Sequence, residues 1–344
     1  VEEGHVLDGD WLAETGADIR GVLKVMVDAG WVPGGTAVVG TGSMWEFVAV
    51  GGTTADGGAL AGPDVHYDVA SLTKVMATWP LVGRAVDGGL LDLDAPLSAH
   101  VPGGPYPGGD VTARQILTHT SRLNPVTWLE RYVGTDQDLA EAILAEPLDD
   151  EGYRYIDRGF ILLGLVLERL FGAPLDRLAA DLWTEAGMTA TTYGPLPRGP
   201  MVAPTERRIP GTAATWGVVH DEAAALMGGV AGHAGAFSTA IDLGVFAREL
   251  LRPADEGDAL GLSAGYVRQS WTAQVPVEDG CARGLAWLVT TGGVVYHNGY
   301  TGVSLHLHPG SGRYVGLLTN AVHFGRRRTG LCDLRAAVHA AFSR

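Results

Sequence analysis

Three short stretches bring together residue types able to do chemistry. Ser71-Leu72-Thr73-Lys74 sets a hydroxyl and an amine three residues apart, a spacing that shares one face of a helix. Serine becomes a nucleophile once a base takes its proton. A lysine made neutral by burial can be that base, and Val69, Ala70, Val75 and Met76 are apolar flanks that would desolvate it. Tyr155-Ile156-Asp157 stands just ahead of the apolar run 160–170. Two residues so spaced on a loop both reach one cleft: the phenol as proton donor or acceptor, Asp157 as a hydrogen-bond partner. Standing alone, Asp157 reads as a helix cap. The third stretch is His297-Asn298-Gly299, followed by Tyr300. Gly299 would let a ligand lie close against the backbone, as an edge strand does. The Tyr300 and Ser71 N–H groups would form an oxyanion hole. The plainer alternative is a glycine-rich hairpin with an incidental histidine.

These stretches need elements to hold them. Helical spacing is read over residues 18–29, 71–87, 112–117, 139–145, 157–171, 175–183 and 238–251, and over a final helix, 330–342. Pro80 should kink the second of these or open a new helix. Strands are read at 36–40 and 45–50, then at 284–290, 294–298, 303–308 and 314–320. Strands thus lie toward both ends and helices between them. The expected class is α+β: one antiparallel sheet built from both chain ends, flanked by terminal helices, with a large helical region inserted. The expected division is 1–71 with 271–344 for the sheet region and 72–270 for the helical region. The active site would sit at the seam.

Composition narrows the partners. The 344 residues carry a net charge of −15, which repels nucleic acid and anionic membrane surfaces. No apolar run approaches the ~18–20 residues that span a bilayer. The first eleven residues hold neither a basic n-region nor an apolar h-region, which predicts a cytoplasmic protein. The chain has only two cysteines, Cys281 and Cys332, and only two lysines, Lys24 and Lys74. His306 and His308 share a strand face, but no third metal ligand follows, so neither a metal nor another cofactor is expected. His233 reads as a loop residue. Trp128 and Tyr132, four apart, read as core packing.

Taken in order, the three stretches resemble the serine β-lactamase and penicillin-binding superfamily, most closely its class C branch of esterases, D-alanyl carboxypeptidases and transacylases. Leu117-Thr118-His119-Thr120-Ser121, Val219-His220-Asp221-Glu222 and Ala231-Gly232-His233-Ala234-Gly235 fit the same pattern. The resemblance implies that Ser71 is the nucleophile, Lys74 its base and Tyr155 the shared proton carrier. His297 would replace the frequent third-motif lysine, which argues for neutral donors such as esters over penicillins. Asp157 stands where β-lactamases often have Asn. Arg122 stands where Gly is usual and would bind a carboxylate or phosphate if it faced the cleft. The expected function is acyl-enzyme hydrolysis or acyl transfer from a small ester or amide to water, an amine or an alcohol, in the manner of an esterase or a natural-product transacylase. The alternatives are a D-alanyl carboxypeptidase or β-lactamase, and a non-catalytic relative that binds penicillin or peptidoglycan fragments.

Overall fold

Along the strand Gly34–Gly40 every residue is buried. Ala37 and Val39 join one apolar cluster and Val38 joins another, as a strand covered on both faces requires. The computed structural model to which this strand belongs describes residues 2–343 apart from 55–57, 127, 133, 208–211 and 253–259, with side chains from residue 8 onward. Eight strands form its main sheet in the order Trp45–Gly51, Gly34–Gly40, Arg313–Thr319, Ser304–His308, Val295–Asn298, Leu288–Thr290, Cys281–Arg283 and Val275–Glu278. All pairings are antiparallel. The two chain ends meet where Gly35 opposes Thr319 and Gly40 opposes Tyr314. The class is α+β, an antiparallel sheet with terminal helices against it and further helices between its two halves.

One sheet face is covered by helices Glu2–Asp28 and Leu331–Ala341. Trp11, Leu12, Ile19, Leu23 and Met26 form the buried stripe of the first helix. Trp11 Nε1 donates to the Ala341 carbonyl at 2.8 Å and so ties the two helices together. The first helix starts well before residue 18 because Trp11 and Leu12 continue its apolar stripe. The opposite face packs on helix Ala240–Leu251, whose Thr239 hydroxyl caps it by accepting from the Asp242 N–H.

The expected strand 284–290 is strand only at Leu288–Thr290. Trp287 is fully buried edge-on against Trp79, 5.6 Å between ring centres. Delivering that indole to the helical core pulls residues 284–287 out of the ladder, with Ala286 in the left-handed region. Two strands at the far end of the sheet were not expected: Val275–Glu278, at the edge, and Cys281–Arg283 form a hairpin about Asp279-Gly280. A second sheet joins Tyr67–Asp68, Ala236–Ser238 and Thr192–Tyr193, so strands also occur between 72 and 270.

His306 stacks flat on Tyr296, 5.2 Å between ring centres, and meets His339 edge-on at 4.6 Å. His308 hydrogen-bonds with Ser311. Cys281 lies buried beside the Tyr296 hydroxyl, and Cys332 is exposed; both are free thiols. Burial, with His339 and Arg335 nearby, holds the His306 imidazole well below the ordinary histidine range. Folded His306 therefore stays neutral while the unfolded chain takes up a proton near pH ~6.5. Stability from this group is complete above that pH and is lost as the pH falls below it. We expect Tm to drop between pH 7 and pH 5, and His306→Phe to shallow that drop. Identical pH dependence of Tm in both proteins would refute the assignment.

Candidate active site

Ser71 does not sit on a regular α-helix. A 3-10 turn, Ala70–Leu72, runs into a π-helical turn, Lys74–Thr78, and only then into the α-helix Trp79–Asp87, with Pro80 in its first turn. Ala70 is held at φ 46°, a left-handed conformation that costs an L-residue about 1–2 kcal/mol. Asp68 compensates. Its carboxylate accepts from the Ala70 N–H (2.8 Å) and the His220 N–H (2.7 Å), and its carbonyl accepts from the Thr301 hydroxyl (2.8 Å). One buried carboxylate residue thus fastens the nucleophile's turn to two loops of the site. Gly299 closes the third side. A Cβ there would lie 2.3 Å from Val303 Cγ2 and 2.7 Å from the Val69 carbonyl. Glycine is thus needed here for the chain's own packing, and Gly299 also lines the cavity.

Lys74 is fully buried and donates in three directions: to Ser71 Oγ at 2.8 Å, Asp157 Oδ1 at 2.7 Å and the His233 carbonyl at 3.3 Å. Burial opposes its charge, but the Asp157 carboxylate and contacts with Tyr155 outweigh burial and raise the amine above the ordinary lysine value. This corrects the expectation of an amine neutralised by its apolar flanks: Lys74 rests as an ammonium. Asp157 stands at the N-terminus of helix Arg158–Phe171 without capping it through its side chain. Its oxygen goes to Lys74 instead, and its carboxyl is held below the usual range against the pull of burial by Lys74 and His233.

Tyr155 lies with its ring centre 5.0 Å from Lys74 Nζ and 4.3 Å from the centre of the buried His119 ring. Burial, with Arg283 and Lys74 nearby, holds His119 well below its ordinary value. It is therefore neutral, and its Nδ1 accepts from the Ile156 N–H at 3.3 Å, steadying the Tyr155–Asp157 turn. Glycine at 232 lets that wall close, since a Cβ there would meet the Phe160 carbonyl at 2.1 Å.

Ser71, Tyr155, Asp157, His297, Asn298, Gly299 and Tyr300 all line one cavity of about 480 Å³. His297 is 2% exposed, and neither ring nitrogen has a partner among the described residues. Burial and the neighbouring Arg283 and Lys74 keep it far below the ordinary histidine range, so it offers a hydrogen bond and no charge. Arg122 does not reach the cavity. It points to the 149–151 loop, donating to the Asp149 carbonyl and pairing with Glu151 at 3.5 Å. Trp128 is 53% exposed, so it is not core, while Tyr132 bonds to Glu146.

The site also holds residues that the sequence reading did not single out. Arg283, Arg326, Arg328 and Arg335 line the cavity. Arg326 is engaged by Glu206 and Glu222. Arg283 is 2% exposed and donates to the Ala286 carbonyl and the Tyr153 hydroxyl, with no carboxylate partner among the described residues. Arg335 donates to the Gly299 and Val303 carbonyls, and burial beside Arg328 pulls its guanidinium down to about 10. The signal for Arg283 was the Asp279-Gly280 hairpin, which places it on a strand two along from His297.

Fold and site together are those of a serine hydrolase. The Beta-lactamase family model matches residues 19–340, and the chain belongs to that family. It is 27% identical over 303 residues to a putative D-alanyl-D-alanine carboxypeptidase of Escherichia coli K12, covering 75% of this chain and 69% of that protein. It is 29% identical over 301 residues to an N-acetylmuramyl-L-alanine amidase of Bacillus subtilis, covering 75% and 68%. Among solved structures, a β-lactamase/D-alanine carboxypeptidase from Pseudomonas syringae matches with TM-score 0.75 at 15% identity, over 95% of this chain and 99% of that one. A penicillin-binding protein from Bacillus halodurans matches with TM-score 0.69 at 22% identity, over 92% and 98%. No helix among the described residues is long and apolar enough to cross a membrane.

Proposed function

We propose that the protein hydrolyses amides or esters that carry a carboxylate on the leaving side, through an acyl-enzyme on Ser71. The observation that carries this is a buried guanidinium, Arg283, without a carboxylate partner among the described residues and 5.6 Å from the Tyr155 ring centre. A buried cation so placed is complemented by an anionic ligand. Ser71 Oγ attacks the carbonyl carbon while the Ser71 and Tyr300 N–H groups hold the oxyanion. The Ser71 proton passes through Lys74 and Tyr155 to the leaving nitrogen or oxygen. Lys74 accepts that proton only after releasing one of its own, and Asp157 at 2.7 Å is the nearest acceptor. Water then attacks the acyl-enzyme along the reverse path.

The taste for neutral esters expected from His297 gives way on this reading, because Arg283 supplies the fixed cation that His297 does not. The names of the relatives, a carboxypeptidase and an amidase, agree with an amide donor. Intact-mass measurement after incubation with candidate donors should show an acyl adduct on Ser71. Its absence with every carboxylate-bearing amide and ester, under conditions where the protein is folded, would defeat the proposal. Arg283→Gln should lower kcat/KM for a carboxylate-terminated donor relative to its carboxamide analogue by about tenfold or more, the loss of a charge-assisted hydrogen bond. A ratio unmoved by the substitution would remove Arg283 from recognition.

A further inference from the structure

The cavity has a second charged wall. Asp221 lines it, with its side chain 31% exposed. One of its oxygens is fully used: Oδ1 accepts from the Ala224 N–H (2.8 Å) and meets His233 Nε2 (2.8 Å). Oδ2 makes no hydrogen bond among the described residues. Burial works against this carboxylate, but His233, the Ala224 N–H and the charge of Lys74 keep it ionised far into the acid range.

Asp221 and Arg283 approach the reacting groups from different neighbours. Arg283 reaches Lys74 by way of Tyr155, the residue that hands a proton to the leaving group. Asp221 reaches Lys74 by way of His233, whose carbonyl accepts from the amine. A leaving-side carboxylate at Arg283 therefore leaves Asp221 beside the acyl half of the donor. The unpartnered nitrogens of His297, on the same cavity wall as Arg283, mark this volume as built around a polar ligand.

We propose that Asp221 Oδ2 receives an ammonium group on the acyl half of the substrate, so that the donor is a short zwitterion: a dipeptide or similar aminoacyl compound with a free amine and a free carboxylate. This rests on the acyl-enzyme reading above and adds the amine to it. A charge-assisted hydrogen bond in a confined site discriminates strongly against a neutral amide in the same place.

The test compares kcat/KM for L-alanyl-L-alanine and D-alanyl-D-alanine with their N-acetyl counterparts, in the wild type and in Asp221→Asn. Asn can still cap Ala224, so the short helix Glu222–Leu226 keeps its start. For whichever enantiomer is cleaved, the free amine should be preferred by about tenfold or more, and the substitution should bring that ratio toward one. Equal or better turnover of the N-acetyl dipeptide by the wild type overturns the proposal. So does a variant in which both substrates fall together with their ratio kept, because that is the mark of a cap and a His233 anchor only. A fluorophosphonate probe separates the two levels. Labelling of Ser71 without cleavage of any of the four dipeptides overturns the zwitterion and leaves the acyl-enzyme standing. No labelling at Ser71 overturns both.

Discussion

Ser71→Ala is expected to reduce turnover of any donor by about 10⁴-fold or more while leaving the unfolding free energy within about 1 kcal/mol of wild type and Tm nearly unchanged. The hydroxyl accepts one hydrogen bond from Lys74, and that amine keeps Asp157 and the His233 carbonyl as partners when Ser71 is gone. No buried charge is stranded. The fastening of the turn is done by Asp68, through the Ala70 and His220 N–H groups, and the substitution does not touch it. Thermal melting and donor turnover are measured on the same preparation. Activity above a few per cent of wild type with an unchanged Tm would take Ser71 out of the mechanism.

What the sequence revealed was whatever is local. Ser71 with Lys74, Tyr155 with Asp157, and His297 with Tyr300 are each near neighbours along the chain, and the structure brings all three stretches to one cavity. The helices 139–145 and 175–183 announced themselves through apolar spacing, and in the structure Asp138 caps the first of them by accepting from the Glu141 N–H. The arginines that line the cavity were hidden because their neighbours come from far away. Arg283 touches Tyr153, 130 residues back, and Arg335 touches Gly299, 36 back. Asp68 was obscured by the shortness of its strand, two residues long, which carries no period to read. Arg122 was legible only as a conditional. It stands where Gly is usual, and its left-handed backbone at φ 61° turns the side chain to the 149–151 loop and away from the cavity.

The acidity of the chain has a local counterpart. A net charge of −15 disfavours polyanions as partners of the whole surface. It does not exclude a small anion in a cavity where three arginines, 283, 328 and 335, have no carboxylate partner among the described residues. Net charge speaks to large partners, and the site's own charges decide the small ones.

Lys74→Met is expected to cut acylation by about 10²–10⁴-fold, the range for loss of an acid–base group, and to destabilise the fold as well. Met fills the space of the fully buried lysine stem, so the cost comes from stranding Asp157. Removing one partner of a fully buried pair costs about 3–5 kcal/mol. Asp157 keeps 38% of its side chain exposed, and solvent screening reduces the expected loss to about 1–2 kcal/mol. Without Lys74 the Asp157 carboxyl rises from its depressed value toward protonation, so the variant's deficit should shrink as pH falls through the ordinary carboxylate range near ~3.9. Adding Asp157→Asn to Lys74→Met should restore most of the stability and none of the activity. Asp157→Asn alone runs the other way on Lys74. With the carboxylate gone, burial becomes the dominant influence on the amine and favours its neutral form. The acid limb of kcat/KM should therefore move to lower pH in that variant, with a milder loss of rate than in Lys74→Met, since the Asn amide oxygen still accepts a hydrogen bond. Stopped-flow acylation between pH 5 and pH 10 reads both effects. An acid limb that stays where the wild type has it would mean that Asp157 does not set the charge of Lys74.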